Sequence, residues 1–324
     1  MLTATEIQKI INQRIESLSF PATPADLYDP IQYILSLGGK RLRPTLTLMA
    51  CNLFSDEVEL AIEPALGIEL FHNFTLLHDD IMDKADKRRG HLTVHRKWNE
   101  NVAILSGDAM QIEAYRHISL TSVANLPRVL ARFSQTAIEV CEGQQIDMDF
   151  EKRCEVPEED YLEMIRLKTA VLVAASLQIG AWMGGATEQE AGLLYDFGSS
   201  LGLAFQLQDD LLDVYGDAKT FGKNIGGDIV SNKKTFLLIL AMNSATGSIK
   251  ESLLRWIKEP VVNPEEKIKA VTEIYDTLGI GSICKKQIAS FHEKAFVAFD
   301  KLGLPLSRKQ ILIDYVSALM QRQT

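Results

Sequence analysis

Leu76-Leu77-His78-Asp79-Asp80-Ile81-Met82-Asp83 is the stretch from which the rest of the chain can be read. An α-helix turns by about 100° per residue, so Asp79 and Asp83 lie one above the other on one face, with Asp80 beside them. Three crowded carboxylates repel one another unless a cation is bound. An all-oxygen set suits Mg²⁺, which takes one or two carboxylates and completes its shell with water and substrate phosphates. The same lettering returns as Gln206-Leu207-Gln208-Asp209-Asp210-Leu211-Leu212-Asp213. One D-D-x-x-D reads equally well as an acidic solvated helix face. Two copies, each preceded and interrupted by Leu, Ile or Met, do not. Facing each other across a cavity, they would clamp several Mg²⁺ ions and a diphosphate.

The helical stripe continues upstream of each cluster. His72, Leu76, Asp79 and Asp83 share one face, and Gly202, Gln206, Asp209 and Asp213 repeat the spacing of four, three and four. A histidine such as His72 usually reads as a satisfied core residue. Its place on the acid stripe points it to the cavity instead.

Helical periodicity dominates, without sustained strand alternation. After an amphipathic N-terminal helix, Pro24-Ala25-Asp26 opens a helix that Gly38-Gly39 ends, and Pro44 sits near the start of the next, which reaches Phe54. Further helices are predicted over 57–83, 101–120, 128–150, 158–184, 188–215, 231–244, 248–258, 264–278, 281–301 and 306–321. A polar loop with Arg88-Arg89-Gly90 follows the first acidic cluster. No low-complexity linker divides the chain, so residues 1–324 read as a single all-α domain.

The composition is that of a globular protein: 46% hydrophobic and 24% charged. A net charge of −9 and the lack of a basic tract argue against a nucleic-acid partner. Cys51, Cys141, Cys154 and Cys284 are scattered, which fits a reducing cytoplasm and argues against a zinc site. The N-terminus lacks a signal peptide's order. The most apolar run, Ala170 to Ala186, contains Gln178 and is short for a membrane span, so no integral membrane segment is expected.

Magnesium alone does not neutralise bound diphosphates, and Arg does so with paired donors. Cations stand at loop junctions: Lys40, Arg41 and Arg43; Arg88-Arg89; Lys223; and Lys233-Lys234-Thr235. Lys168-Thr169 lies inside an apolar helix, where a charge is costly unless it is paired or faces a wet cavity. Lys267, Lys269 and Lys285-Lys286 read as solvated faces. His91 and His95 are four apart, but nothing supplies a third metal ligand.

Together these residues resemble the trans-prenyl diphosphate synthases, the polyprenyl synthetase family that includes farnesyl and geranylgeranyl diphosphate synthases. The pieces are Gly38-Gly39-Lys40-Arg41-Leu42-Arg43-Pro44, His72 through Asp83, Arg88-Arg89-Gly90, Gly143-Gln144-Gln145-Ile146-Asp147 and Lys168-Thr169. Phe205 through Asp213 with Gly216-Asp217, then Lys223, Gly227-Asp228 and Lys233-Lys234-Thr235, complete the set in the family's order.

The resemblance implies an antiparallel helical bundle around a deep central cavity, the isoprenoid synthase type, usually a homodimer. It implies that isopentenyl diphosphate and an allylic diphosphate condense head to tail into a longer trans-prenyl diphosphate, with release of pyrophosphate. By motif position Asp79, Asp83 and Asp209, supported by Asp80, Asp210 and Asp213, hold several Mg²⁺ ions, three with substrate bound. Arg88, Lys168, Thr169, Gln206, Lys223 and Lys233 hold the allylic substrate. Lys40, Arg43, His72 and Arg89 hold isopentenyl diphosphate. The Thr169 carbonyl and Gln206 amide oxygen stabilise the carbocation, and Arg322 covers the site. Phe74 and Thr75, five and four residues before Asp79, set the cavity floor, and an aromatic at Phe74 fits products of C15 to C20. A class I terpene cyclase, a non-catalytic subunit of a heteromeric synthase and a structural bundle are the rival readings. The cyclase lacks a second D-D-x-x-D, the subunit tends to lose one cluster, and the bundle leaves Lys168 unexplained.

Overall fold

Thr3 opens the first helix, α1 (Ala4–Glu16), through a reciprocal cap: its hydroxyl accepts from the Glu6 amide, while the Glu6 carboxylate accepts from the Thr3 amide at 2.7 Å. The computed structural model describes residues 1–153, 155–216 and 225–321. Along them follow α2 (Ala25–Ser36), α3 (Leu42–Phe54), a 3₁₀ turn (Val58–Ala61) and α4 (Ile62–Met82). Next come strands β1 (Lys87–Arg88) and β2 (His91–Leu92), then α5 (Val94–Lys97), α6 (Glu100–Ser119) and α7 (Leu126–Phe150). The chain continues with α8 (Glu158–Ile165), a π-helical turn (Arg166–Ala170), α9 (Val171–Met183) and α10 (Glu188–Tyr215). It ends with α11 (Gly227–Val230), α12 (Phe236–Ser244), α13 (Gly247–Lys258), α14 (Pro264–Thr277), α15 (Ile280–Asp300) and α16 (Leu306–Gln321). The all-α expectation holds.

Three local departures have physical causes. The polar loop after α4 forms a small antiparallel hairpin, with Lys87 opposite Leu92 and Arg88 opposite His91. Its two turn residues, Arg89 and Gly90, both have positive φ (52° and 79°), the backbone a two-residue hairpin turn requires. The helix predicted over 158–184 is interrupted by the π turn. The helix predicted from residue 231 begins only at Phe236, because Asn232 adopts a left-handed backbone (φ 56°) and Thr235 caps the new N-terminus.

The helices gather into two compact units, to both of which α7, α9, α10 and α16 contribute. In the first, Met1–Gln135 with Ala175–Tyr195 and Leu302–Tyr315, α4 touches α1, α2, α3, α5 and α6. Its residues from Ile62 to Phe74 are buried on nearly all sides. In the second, Thr136–Ala174 and Asp196–Lys301 with the helical residues from Val316, the apolar run Phe236–Ala241 of α12 packs on α8, α14 and α15. The stretch Glu158–Met183 is long and apolar enough to cross a membrane, but 83% of its most apolar window is buried in the protein.

One candidate cation proves to be a core residue. Arg41 is buried and donates to Glu69 Oε1 (2.6 Å) and to the Leu35 carbonyl, and Asn73 Nδ2 donates to the same Glu69 oxygen at 3.0 Å. Removing one partner of a buried ion pair costs roughly 3–5 kcal/mol, because the other charge is left uncompensated. Glu69→Ala should therefore lower unfolding stability by that order, read from the urea midpoint, whereas the double change of Arg41 and Glu69 to Met should cost much less.

Candidate active site

Each unit carries one acidic cluster and one set of cations. In the first, Asp79, Asp80 and Asp83 close α4. Asp83 is exposed, Asp79 is half-buried and Asp80 is buried. Asp80 is held by a two-pronged bond: Arg88 Nε and Nη2 donate to its two oxygens, each at 2.8 Å. Burial pushes the Asp80 carboxyl up, and the Arg88 guanidinium opposes that shift. The hairpin thus places Arg88 on Asp80, and Arg89 next to it donates to the Gly38 carbonyl. Gly39, at φ 131°, accommodates Arg89, since a Cβ there would stand 2.7 Å from Arg89 Nη2.

Arg43 Nη1 lies 3.1 Å from His72 Nε2. Arginine only donates, so Nε2 accepts and the imidazole hydrogen sits on Nδ1. Burial first, then the charges of Arg43, Arg89, Arg88 and Arg41, hold the His72 pKa well below its ordinary value. Of the four guanidiniums near this neutral histidine, Arg41 is paired with Glu69 and Arg88 with Asp80. Lys40 is exposed. Phe74 is buried and packs on Phe71 (5.4 Å) and His78 (4.8 Å), and Phe71 packs on Phe133. Thr75 donates its hydroxyl to the His72 carbonyl at 2.8 Å.

In the second unit, Lys168 lies in the π turn and pairs with Asp147 at 2.7 Å, both side chains mostly buried. The sequence places Lys168 in an apolar run, and the pair explains how the charge is tolerated there. Gly143, one turn before Asp147, lets α7 approach this turn, because a Cβ would overlap the backbone of Leu167 and Lys168. Thr169 Oγ1 donates to Gln206 Oε1 at 3.1 Å, and Gln206 Nε2 donates to Asp210 Oδ1 at 3.1 Å. Asp210 Oδ2 accepts from the Tyr161 hydroxyl and from the Phe236 amide at 3.3 Å. Burial, with Asp228 nearby, pushes the Asp210 carboxyl up to about 6. Asp209 is half-buried, and Asp213 Oδ2 accepts from the Asp228 amide at 3.0 Å. Lys233 is exposed just before α12. Lys223 and Arg322 lie outside the described residues.

The middle acid of each cluster is thus buried and held by an internal donor. Among the described residues no three His, Cys, Asp or Glu side chains gather as a metal-holding group. Asp79, Asp83 and Asp209, the more open acids, offer carboxylate oxygens, the donor type a hard cation takes. His91 is exposed on β2 while His95 is buried in α5, so these two do not form a metal pair. Sequence reasoning missed Tyr161, whose one signal is a hydroxyl in the otherwise apolar Tyr161-Leu162-x-Met164-Ile165 pattern.

Residues 24–276 match the polyprenyl synthetase family model. The chain is 39% identical over 317 residues to a geranylgeranyl diphosphate synthase of Methanosarcina mazei, covering 97% of this chain and 95% of that one. It is 38% identical over 297 residues to a short chain isoprenyl diphosphate synthase of Methanocaldococcus jannaschii, covering 91% and 89%. A crystal structure of a geranylgeranyl pyrophosphate synthase superposes with a TM-score of 0.94 at 43% identity, covering all of both chains. The chain belongs to the polyprenyl synthetase family of prenyltransferases.

The lowered pKa of His72 has a consequence for stability. The unfolded chain binds a proton near pH 6.5 that the folded chain does not, so this contribution is present above that pH and lost as pH falls through it. Urea midpoints at pH 7.5 and 5.5 should separate further in the wild type than in His72→Gln. An equal drop in both proteins would show that His72 is charged in the fold.

Proposed function

We propose that this chain condenses isopentenyl diphosphate with an allylic diphosphate, head to tail, and stops at C15 to C20. The observation that carries this reading is the contact of Arg43 with His72 at 3.1 Å, with Arg89 nearby, a cation set additional to Lys168 and Lys233. A cyclase handles one diphosphate and has no use for two cation sets. The similarity to geranylgeranyl and short chain isoprenyl diphosphate synthases supports the product range.

In this reading Lys40, Arg43, Arg89 and the His72 Nδ1–H take the diphosphate of isopentenyl diphosphate. Lys168, Lys233, Lys223 and Arg88 take the allylic diphosphate. Asp79, Asp83 and Asp209, supported by Asp213, would hold several Mg²⁺ ions, whose charge stabilises the departing pyrophosphate. Asp80 and Asp210 orient the segments that carry those ligands. Ionisation leaves an allylic carbocation, and the double bond of isopentenyl diphosphate attacks it to form the new carbon–carbon bond. The Thr169 carbonyl and the remaining lone pair of Gln206 Oε1 face the cation, with Gln206 held by Thr169 and Asp210. The last proton leaves to the released pyrophosphate, so no side-chain base is required. We place the reaction in the cytoplasm on cysteine usage, and we read both units as one domain, supported by the four helices that contribute to each.

Incubation with Mg²⁺, isopentenyl diphosphate and C5, C10 or C15 allylic diphosphates should yield a longer linear diphosphate. A hydrocarbon formed without isopentenyl consumption would sink the proposal. Phe74→Ala should shift the product to longer chains, because about 5.4 Å of depth opens for each helical turn cleared. An unchanged product distribution would remove Phe74 as the floor.

The active form is a homodimer in this proposal. Helix α6 exposes Ile104, Leu105 (60%) and Ile112 (63%), an apolar stripe that a second copy would cover. Light scattering should give a dimer for the wild type and a monomer for the Leu105→Glu, Ile112→Glu pair. A wild-type monomer would refute this.

A further inference from the structure

Lys267 reads from sequence as part of a solvated face, yet it is 1% exposed. Among the described residues its ammonium donates to Asn232 Oδ1 at 2.6 Å and to the Val230 carbonyl at 3.3 Å, and to no carboxylate. Burial lowers its pKa. A buried charge on neutral acceptors is a costly arrangement, and here both acceptors belong to one short turn.

That turn joins the second acidic cluster to Lys233. It is hung at its start from Asp213, whose carbonyl accepts from the Gly226 amide at 2.6 Å and whose carboxylate accepts from the Asp228 amide. After α11 the backbone reverses at Asn232, in the left-handed region that asparagine tolerates better than most residues. The Asn232 side chain is held at both ends: Nδ2 donates to the Ile257 carbonyl at 3.1 Å, and Oδ1 accepts from Lys267. The next residue, Lys233, returns its amide to the Asp228 carbonyl at 2.9 Å. Asp228, Asn232, Lys233 and Lys267 line one small cavity with Val214 and Tyr275.

We propose that Lys267 is a positioning residue for the allylic diphosphate: through Asn232, its buried ammonium fixes the left-handed turn that presents Lys233. The proposal rests on the reading above in which Lys233 takes that diphosphate. Lys267 is buried and bonded to the turn, so its effect must pass through the turn.

Steady-state kinetics with both substrates test this on wild type, Lys267→Met, Asn232→Gly, Lys233→Ala and the Lys267→Met, Lys233→Ala double variant. Glycine keeps the left-handed backbone and removes the side-chain amide, and with it the bonds to both Lys267 and the Ile257 carbonyl. Lys267→Met and Asn232→Gly should each raise the allylic KM roughly tenfold, the worth of one charge-assisted hydrogen bond, with a smaller effect on kcat. The KM for isopentenyl diphosphate should not move. In the double variant Lys267→Met should add nothing to Lys233→Ala. Additive losses, or a rise in Lys267→Met without one in Asn232→Gly, would mean that Lys267 acts by its charge and would overturn the positioning role. An unchanged allylic KM in a folded Lys267→Met protein would do the same. If that variant does not fold, Asn232→Gly still decides: an unchanged allylic KM there overturns the positioning role. If Lys233→Ala leaves the allylic KM unchanged, the parent assignment of Lys233 fails, and this proposal with it.

Discussion

A charge taken out of water has to be met inside the protein, and this requirement governs the chemistry-bearing parts of the chain. Asp80 is met by Arg88, Asp210 by Tyr161 and Gln206, Lys168 by Asp147, and Arg41 by Glu69. Arg88 reaches Asp80 across the hairpin and Gln206 reaches Asp210 along one helix, whereas the other bonds join segments 21 to 49 residues apart. Each also fixes a neighbour: the Asp80 pair orients the hairpin beside Asp79 and Asp83, and the Asp210 network orients Gln206 and the start of α12. The middle acid of each D-D-x-x-D acts as an anchor beside the more open Asp79, Asp83 and Asp209, while Asp213 is buried as well.

The helical framework supplies the rigidity these anchors need. Apolar runs such as Phe236–Ala241 are buried in full, so their positions are set by packing and not by a single amphipathic face. Where function needs irregular backbone, the framework yields locally. The π turn at Arg166–Ala170 interrupts an otherwise regular helix at Lys168 and Thr169, and Gly143 gives it room. Pi bulges of this kind recur at functional sites. The same holds for the Arg89-Gly90 turn and for Asn232, where left-handed backbone carries a cation into place.

Electrostatics separates the two cation sets. Around His72 burial first, and then the guanidiniums, keep the imidazole neutral, so it offers a hydrogen without adding charge. Around Lys168 the positive charge is balanced by Asp147, and the next residue, Thr169, bonds Gln206.

The helical class, the two acidic clusters and the ordered cations were legible in the chain itself, because periodicity and spacing along a helix are local properties. The stripe of His72, Asp79 and Asp83 needs only 3.6 residues per turn to be drawn. What no local pattern announces is which charge is buried. Arg41 and Arg43 look alike in sequence, yet one is a core residue on Glu69 and the other touches His72. Lys267 looks solvated and is enclosed, and Tyr161 looks like core and holds Asp210. Such assignments depend on contacts between residues tens of positions apart, and burial is decided by everything that packs around a side chain, so only the tertiary structure could make them.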